Sequence, residues 1–463
     1  MNLKPVPLFG IGNQGKSANV DAQQRKNLYI EVNQDAEKHV LTMYPTPGLS
    51  TFVNFGDTPI RGTWEKGDLM YAVHRDKLYS IANNGTTAVI GTLLTLAGRV
   101  SFSDNGTQII LVDGTYGYIY NTATLAFVQI TDVDFPGADV VDFLDGRFVV
   151  NKPGTGEFYC SAGYDGLSWD ALEFATAESN PDDLVSLIAE NGQIALFGDK
   201  TTEFWGSSGN ADFPYAPIGS SAIEWGLAAR WSLTKFMDSL AFLRKNRLGQ
   251  VQVCLQAGSS AQAISTPAID YQLSTYSTVS DATAFSYMLA GHPFYQINFP
   301  TANKSWLYDG QSKSWSELES DEGRHRAEIH QQFLNRSFVT DYENGKLYTL
   351  ESDEYTDDGA TIVRQFQSRH QAGGNLFTLS ELWLEMQAGV GDQTGQGTDP
   401  QIMMQISRDG GNTFGAEVWR TFGKVGQYKA RAKWNRLGQA RDWVFRFRVT
   451  DPVKTVFVAA WGR

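Results

Sequence analysis

The chain has 463 residues, 42% of them hydrophobic and 13% aromatic, which is ample material for a large core and for two or three domains. Its net charge of −13 argues against a generic nucleic-acid binder, whose affinity comes from neutralised phosphates, but does not exclude a protein that lets DNA slide past, since an acidic wall repels phosphates. There is no apolar run of membrane-spanning length, and two cysteines, Cys160 and Cys254, are too few for a disulfide framework.

Residues 1–58 come first, polar and broken by Pro5, Pro7, Pro45 and Pro47. They read as an extended docking arm more than a compact domain. The opening MNLKPVPLFG lacks a charged-then-apolar leader pattern, so synthesis and folding in a cytoplasm are expected. Within the arm, Gly10-Ile11-Gly12-Asn13-Gln14-Gly15-Lys16-Ser17 matches the phosphate-binding pattern GxxxxGK[ST]. In a nucleotide-binding loop the backbone amides cradle phosphates, Lys16 reaches the terminal one, and Ser17 with Asp113 holds magnesium. The context is wrong for that chemistry: PVPLF is no buried strand, no long helix follows, and Asp113 sits in a hairpin turn. A glycine loop without nucleotide is expected, and no cofactor.

Seven times between Asp68 and Leu350 the sequence writes an apolar strand, a Gly/Asn/Asp/Lys turn and a second strand. The copies are Leu69 to Ile81, Gln108 to Tyr120, Arg147 to Cys160, Gln193 to Trp205, Leu240 to Leu255, Pro293 to Tyr308 and Ser337 to Leu350. Their starts lie about 40 to 55 residues apart, the interval of a four-stranded propeller blade. A further strand precedes each hairpin, and a shorter, more polar one usually follows. In the second copy the breaks Asp104-Asn105-Gly106 and Asp113-Gly114 supply residues that reach positive φ cheaply. Residues 59–367 are therefore assigned to an all-β propeller, seven blades favoured and six the alternative. Cys160 and Cys254 fall in strands of different blades and read as buried free thiols.

The acidic stretch Glu351 to Asp358 lacks calcium-loop order and reads as a solvated connection. From Phe377 the strands lengthen and alternate: Leu382-Leu384-Met386, Ile402-Met404-Ile406, Val444 to Val449 and Val456 to Ala460. Residues 368–463 are assigned to a β-sandwich module. Between Trp419 and Arg448 lie nine basic residues and one acid, Asp442. Lys429, Arg431 and Lys433 fall on one face by alternation, which reads as a solvated face, a docking surface for an acidic partner or a direct DNA contact.

Ser407-Arg408-Asp409-Gly410-Gly411-Asn412-Thr413-Phe414 resembles the Asp-box turn of sialidase propellers, in which the carboxylate caps backbone amides and performs no catalysis. The six histidines show no ligand spacing, and His325 and His330 read as loop or strand-edge residues. No metal site or catalytic constellation is announced.

Arg25-Lys26-Asn27-Leu28-Tyr29-Ile30-Glu31 followed by Tyr44-Pro45-Thr46-Pro47-Gly48-Leu49 resembles the packaged-DNA stabilisation proteins, the tail-hub or nozzle proteins of short-tailed phages. Thr202-Glu203-Phe204-Trp205 with Glu224-Trp225-Gly226-Leu227, and the SRDGGNTFG segment, resemble the same family. The chain departs from that pattern at Gly15-Lys16-Ser17. The resemblance implies a structural virion protein that forms a sixfold homo-oligomeric ring below the portal and its adaptor. It also implies retention of packaged DNA, an exit channel for ejection without specific DNA binding, and contact with needle, tailspike or fibre proteins. On this reading Arg25, Asn27, Leu28, Tyr29, Tyr44 and Leu49 dock the arm on the adaptor, and Lys429, Arg431 and Lys433 meet a neighbouring protein. The competing classes are a sialidase-like propeller glycosidase and a carbohydrate- or receptor-binding propeller.

Overall fold

The computed structural model describes every residue except 1–2, 34–39, 178–181, 211–212, 220–222, 247 and 259. Each of the seven sequence copies forms the two middle strands of a four-stranded antiparallel blade. Six blades are contiguous in sequence, at residues 60–92, 101–129, 141–176, 184–217, 226–263 and 283–320. A seventh blade takes three strands, Ala327–Phe333, Arg336–Asp341 and Lys346–Glu351, from the end of the propeller and its fourth strand, Gly48–Asn54, from the N-terminal segment. The innermost strands of blades 7 and 1 pack together and close the ring.

Burial explains why the copies read as apolar runs. Tyr71, Leu78, Phe102, Leu111 and Tyr118 fill the gap between blades 1 and 2, and Ile110, Val112, Ile119, Phe148 and Val150 the gap between blades 2 and 3. The middle strands of a blade are covered on both faces, so both side-chain sets are apolar. Turns follow the chemistry of their residues: Gly106 and Gly114 adopt φ of 98° and 96°. Cys160 and Cys254 are free and buried, and burial pushes both thiols up to about 12.

The helix Pro267–Ser274, between blades 5 and 6, was not anticipated. The side-chain oxygen of Thr266 accepts from the Ile269 amide, and Pro267 opens the helix where no amide is needed. Those two start signals stand in the sequence; the short, weakly periodic stretch after them hid the element.

The C-terminal module is built on two long paired strands, Gln371–Met386 and Ala432–Val449, with Gln401–Ser407, Val418–Thr421 and Phe457–Gly462 beside them. Its core includes Leu382, Leu384, Met404, Trp434, Phe445, Phe447 and Phe457. Leu8, Phe9, Leu28, Ile30 and Met43 from the N-terminal segment belong to that same core.

The boundary at residue 58 therefore does not describe this molecule. The N-terminal segment is threaded through both modules. Lys4–Pro5 pairs with Phe457–Gly462, and the hairpin Leu28–Val32 with Leu41–Pro45 joins the sandwich through Met43 opposite Phe457. Gln24–Lys26 lies parallel to the outer strand of blade 6, Ser314–Ser320, and antiparallel to Arg364–Gln367. One sheet of 15 strands thus runs from blade 6 into the sandwich. Strand alternation does the joining: Leu28 points into the sandwich core while Tyr29, next along, packs with Leu49, Phe294 and Tyr348 on the propeller side. The prolines that suggested a loose arm mark the ends of these short strands.

Candidate docking surfaces

The glycine loop is organised around a cation. The guanidinium of Arg25 is fully enclosed; Nη1 donates to the carbonyls of Gly10 and Gly12 at 2.7 and 2.9 Å, and Nη2 to those of Ile11 and Trp315 at 3.1 and 2.5 Å. A phosphate-binding loop turns amides toward its ligand, whereas this one turns carbonyl oxygens toward a positive charge, so its polarity is reversed. Lys16 lies 5.9 Å over the Tyr271 ring. Side chains pack closely on the glycines: a Cβ on Gly10 would stand 2.1 Å from Gln23 Oε1, and one on Gly12 2.2 Å from Asp21 Oδ2, so either would displace a neighbouring side chain. Desolvation pushes the Arg25 guanidinium down to about 10, with Asp21 opposing.

The other arm residues expected at a partner surface are placed inside the chain. Asn27, at φ 53°, donates through Nδ2 to the carbonyls of Glu319 and Val363, each at 2.9 Å, and its Oδ1 accepts from the Glu319 amide at 3.0 Å. Leu28, Tyr29 and Leu49 are buried, and the half-buried Tyr44 stacks on Tyr29 with ring centroids 5.7 Å apart. These contacts hold the propeller to the sandwich. Polar and aromatic residues that bridge two modules of one chain carry the same sequence signal as residues meant for a partner, which is why sequence reasoning could not separate them.

The basic stripe lies on the sandwich and is only partly free. Lys429 sits in a turn ahead of the strand Ala432–Val449, so strand alternation does not reach it. Arg431 and Lys433 meet over one ring, Trp383, at 5.5 and 4.8 Å. Lys433 also pairs with the Glu381 carboxylate, which Arg463 Nε approaches at 2.6 Å. The bond from Lys433, then that from Trp383, holds the Glu381 carboxyl below its usual range. Lys429 and Arg431 remain exposed.

Beside them the strand Val418–Thr421 is exposed along its whole length, with Trp419 half exposed and Tyr428 78% exposed. Exposed aromatics among arginines and lysines are the composition of an interface centre. Sequence reasoning missed Trp419 and Tyr428, although both fall inside the basic run it marked. Residues 364–463 carry 14 Lys and Arg against eight Asp and Glu in a chain with 38 and 51 overall. The module is therefore positive on a body that is strongly negative.

The remaining motifs are structural. Asp409 Oδ1 accepts from the amides of Asn412 and Thr413 at 3.1 and 2.9 Å, and Oδ2 from Thr413 Oγ1 at 2.6 Å. The bonds from Ser407 and Thr413 hold its carboxyl well below the usual range, as expected of a turn-capping carboxylate. Among the described residues no cluster of three or more His, Cys, Asp or Glu could hold a metal ion. His39 lies outside the described residues. His325 lies in the connection between Gly323–Arg324 and Ala327–Phe333, as expected of a loop residue, but is buried there, with Nδ1 3.2 Å from Gln296 Nε2.

His330 lies in the inner strand of blade 7, stacked on Phe285 at 6.0 Å, and its Nε2 is buried with no hydrogen-bond partner among the described residues. Desolvation lowers it from 6.5 to about 4. The folded ring binds its proton later than the unfolded one. Stability is whole above about pH 6.5 and is lost as the pH falls toward 4, because the unfolded chain protonates first. His330→Phe is expected to remove a loss on the order of 2 kcal/mol between pH 7 and 4, somewhat below the full shift because the ring keeps a partly open edge. Urea denaturation of both proteins at the two pH values measures it; equal acid sensitivity would show that the ring carries no such cost.

A family profile described as the bacteriophage P22 Gp10 β-propeller matches residues 5–355, and one described as the P22 Gp10 β-sandwich matches residues 364–461. Over 426 residues the chain is 24% identical to the tail hub protein gp10 of Salmonella phage P22, an alignment covering 82% of this chain and 85% of that protein. Among solved structures, the extracellular domain of the hybrid two component system BT4673 from B. thetaiotaomicron matches at TM-score 0.45 and 8% identity, over 77% of this chain and 45% of that one. The WD40 β-propeller domain of Doa1 matches at TM-score 0.39 and 10% identity, over 66% and 97%.

Proposed function

The chain belongs to the bacteriophage P22 Gp10 family, and from that premise we propose that it forms a sixfold hub ring below the portal and its adaptor, retaining packaged DNA and giving it an exit channel. The family is one of structural tail-hub proteins, not of enzymes, and the protein is a component of a phage tail in the virion. The observation that carries the finer reading is the continuous sheet from blade 6 into the sandwich. It makes propeller and sandwich one stiff body, as a subunit that confines DNA requires. The sandwich's aromatic and basic surface, Trp419, Tyr428, Lys429 and Arg431, docks on an acidic surface of an adjoining tail protein: the adaptor, needle, tailspike or fibre, or a neighbouring copy. Residues 1–363 hold 43 Asp and Glu against 24 Lys and Arg, so a channel lined by this part of the chain repels phosphates and lets a duplex slide.

The test is the double variant Lys429→Glu with Arg431→Glu, which leaves the Lys433–Glu381 pair intact. Incorporation into tails is expected to fall about tenfold or more with the thermal midpoint unchanged, since like charges then oppose at the contact. Duplex binding by the unaltered protein is expected to be negligible at physiological salt. Normal incorporation of the variant would sink the docking surface. Tight duplex binding abolished by the reversal would make these residues a DNA clamp.

A further inference from the structure

At the seam where blade 7 meets blade 1 a cavity of about 420 Å³ opens, lined by Arg61, Arg99, Arg324 and Glu328. Three guanidiniums face one carboxylate, in a part of the chain where acids outnumber bases. The three are not equivalent. Arg61 is occupied in holding the loop after blade 1 and a hairpin turn within that blade: it donates to the carbonyls of Gly98, Thr95 and Ala97 and to that of Arg75 at 2.6 to 2.8 Å. Arg324 holds Glu328, Nη1 to Oε2 at 2.7 Å, and lies 3.7 Å over the Tyr342 ring.

Arg99 is the one left over. Its nearest anion is the other oxygen of Glu328 at 3.9 Å, beyond hydrogen-bonding distance, and its Nη1 is buried with no hydrogen-bond partner among the described residues. The side chain is four-fifths covered, with 20% exposed. One face of the guanidinium rests on Trp231, 4.8 Å from the ring centroid. A planar fork with five donors, largely withdrawn from water and short of acceptors, is costly unless something brings acceptors to it. Burial pushes the guanidinium below its ordinary value, with Glu328 opposing. Ile60, Leu96 and Ile329 add apolar surface to the cavity lining.

We infer that this seam cavity binds a small oxyanion, a carboxylate or phosphate on a short apolar body, with Arg99 as its principal contact and Arg324 as the second. A cation with spare donors selects the charged oxygens, in the bidentate geometry that guanidinium favours. The apolar part of the lining selects what carries them. The site is independent of the docking surface on the sandwich.

Calorimetric titration of the full chain with inorganic phosphate and with hexanoate, at constant chloride, tests the inference. Saturable binding of at least one probe is expected. Tighter hexanoate assigns a carboxylate with an alkyl body, and tighter phosphate assigns a phosphate. Arg99→Gln is expected to weaken binding tenfold or more, while Arg441→Gln, on the exposed face of the sandwich, leaves it unchanged. Should Arg99→Gln fail to fold, Leu96→Glu replaces it, placing a like charge on the exposed rim with the same loss expected. Absence of saturable binding of both probes, or binding that survives the seam substitution, overturns the inference.

Discussion

Removal of residues 1–54 is expected to leave a chain that cannot close its ring and gives no cooperative thermal transition. The deletion takes away Gly48–Asn54, which pairs along the whole of Lys346–Glu351, so blade 7 loses its fourth strand and exposes an unpaired edge. It also takes Leu8, Phe9, Leu28, Ile30 and Met43 from the sandwich core and Tyr29 and Leu49 from the junction. At about 1.5 to 3 kcal/mol for each large apolar side chain, the loss rivals the roughly 5 to 15 kcal/mol by which a domain is stable. Removing residues 1–24 alone is the instructive contrast. It takes Lys4–Pro5 and the carbonyl cradle of Arg25 but spares the closing strand. That shorter deletion is expected to keep a folded propeller with a loosened sandwich and weakened tail assembly. Differential scanning calorimetry reads both, and a deletion of 1–54 that melts near the full-length midpoint would show that strand addition does not close this propeller.

Arg25→Met is expected to cost about 3 to 5 kcal/mol, among the largest effects of a single substitution here. The enclosed guanidinium satisfies the carbonyls of Gly10, Ile11, Gly12 and Trp315 at once, and methionine fills the volume while leaving the three loop carbonyls without this donor; the Trp315 carbonyl keeps its bond from Asn13 Nδ2. Arg25→Lys is expected to fall between, since an ammonium has three donors and no planar fork to span carbonyls on two segments. Guanidinium chloride unfolding gives the ordering directly. A methionine variant within about 1 kcal/mol of the unaltered protein would mean that water enters the cradle and replaces the cation.

The architecture was legible in the sequence because its information is local and repeated. Seven hairpins with their turn residues announced seven blades, and the change to longer alternating strands after Phe377 announced the second module. The Asp409 turn was legible for the same reason, since its donors and acceptors lie within seven residues, from Ser407 to Thr413. The phosphate-loop pattern could be dismissed from context, but the sequence did not reveal what the loop does instead. The cation in its centre comes from Arg25, and its fourth acceptor from Trp315, 290 residues away.

Tertiary structure alone decided the fate of the first 58 residues. A strand such as Gly48–Asn54 carries the same alternation whether it joins a partner or its own seventh blade, because edge pairing uses backbone groups common to all residues. Leu28 and Tyr29 are adjacent in sequence and serve two different cores, a division set by which face of one short strand meets which module. Likewise the sequence determined that basic residues gather near the C-terminus, while only the folded chain decided which of them are free. Lys433 is held by Glu381, 52 positions earlier, Arg431 lies over Trp383, and Lys429 stands in open solvent. Local patterns determine strands, turns and their number. Pairing between distant segments, which depends on geometry and not on composition, decides closure, charge neutralisation and the surfaces left for partners.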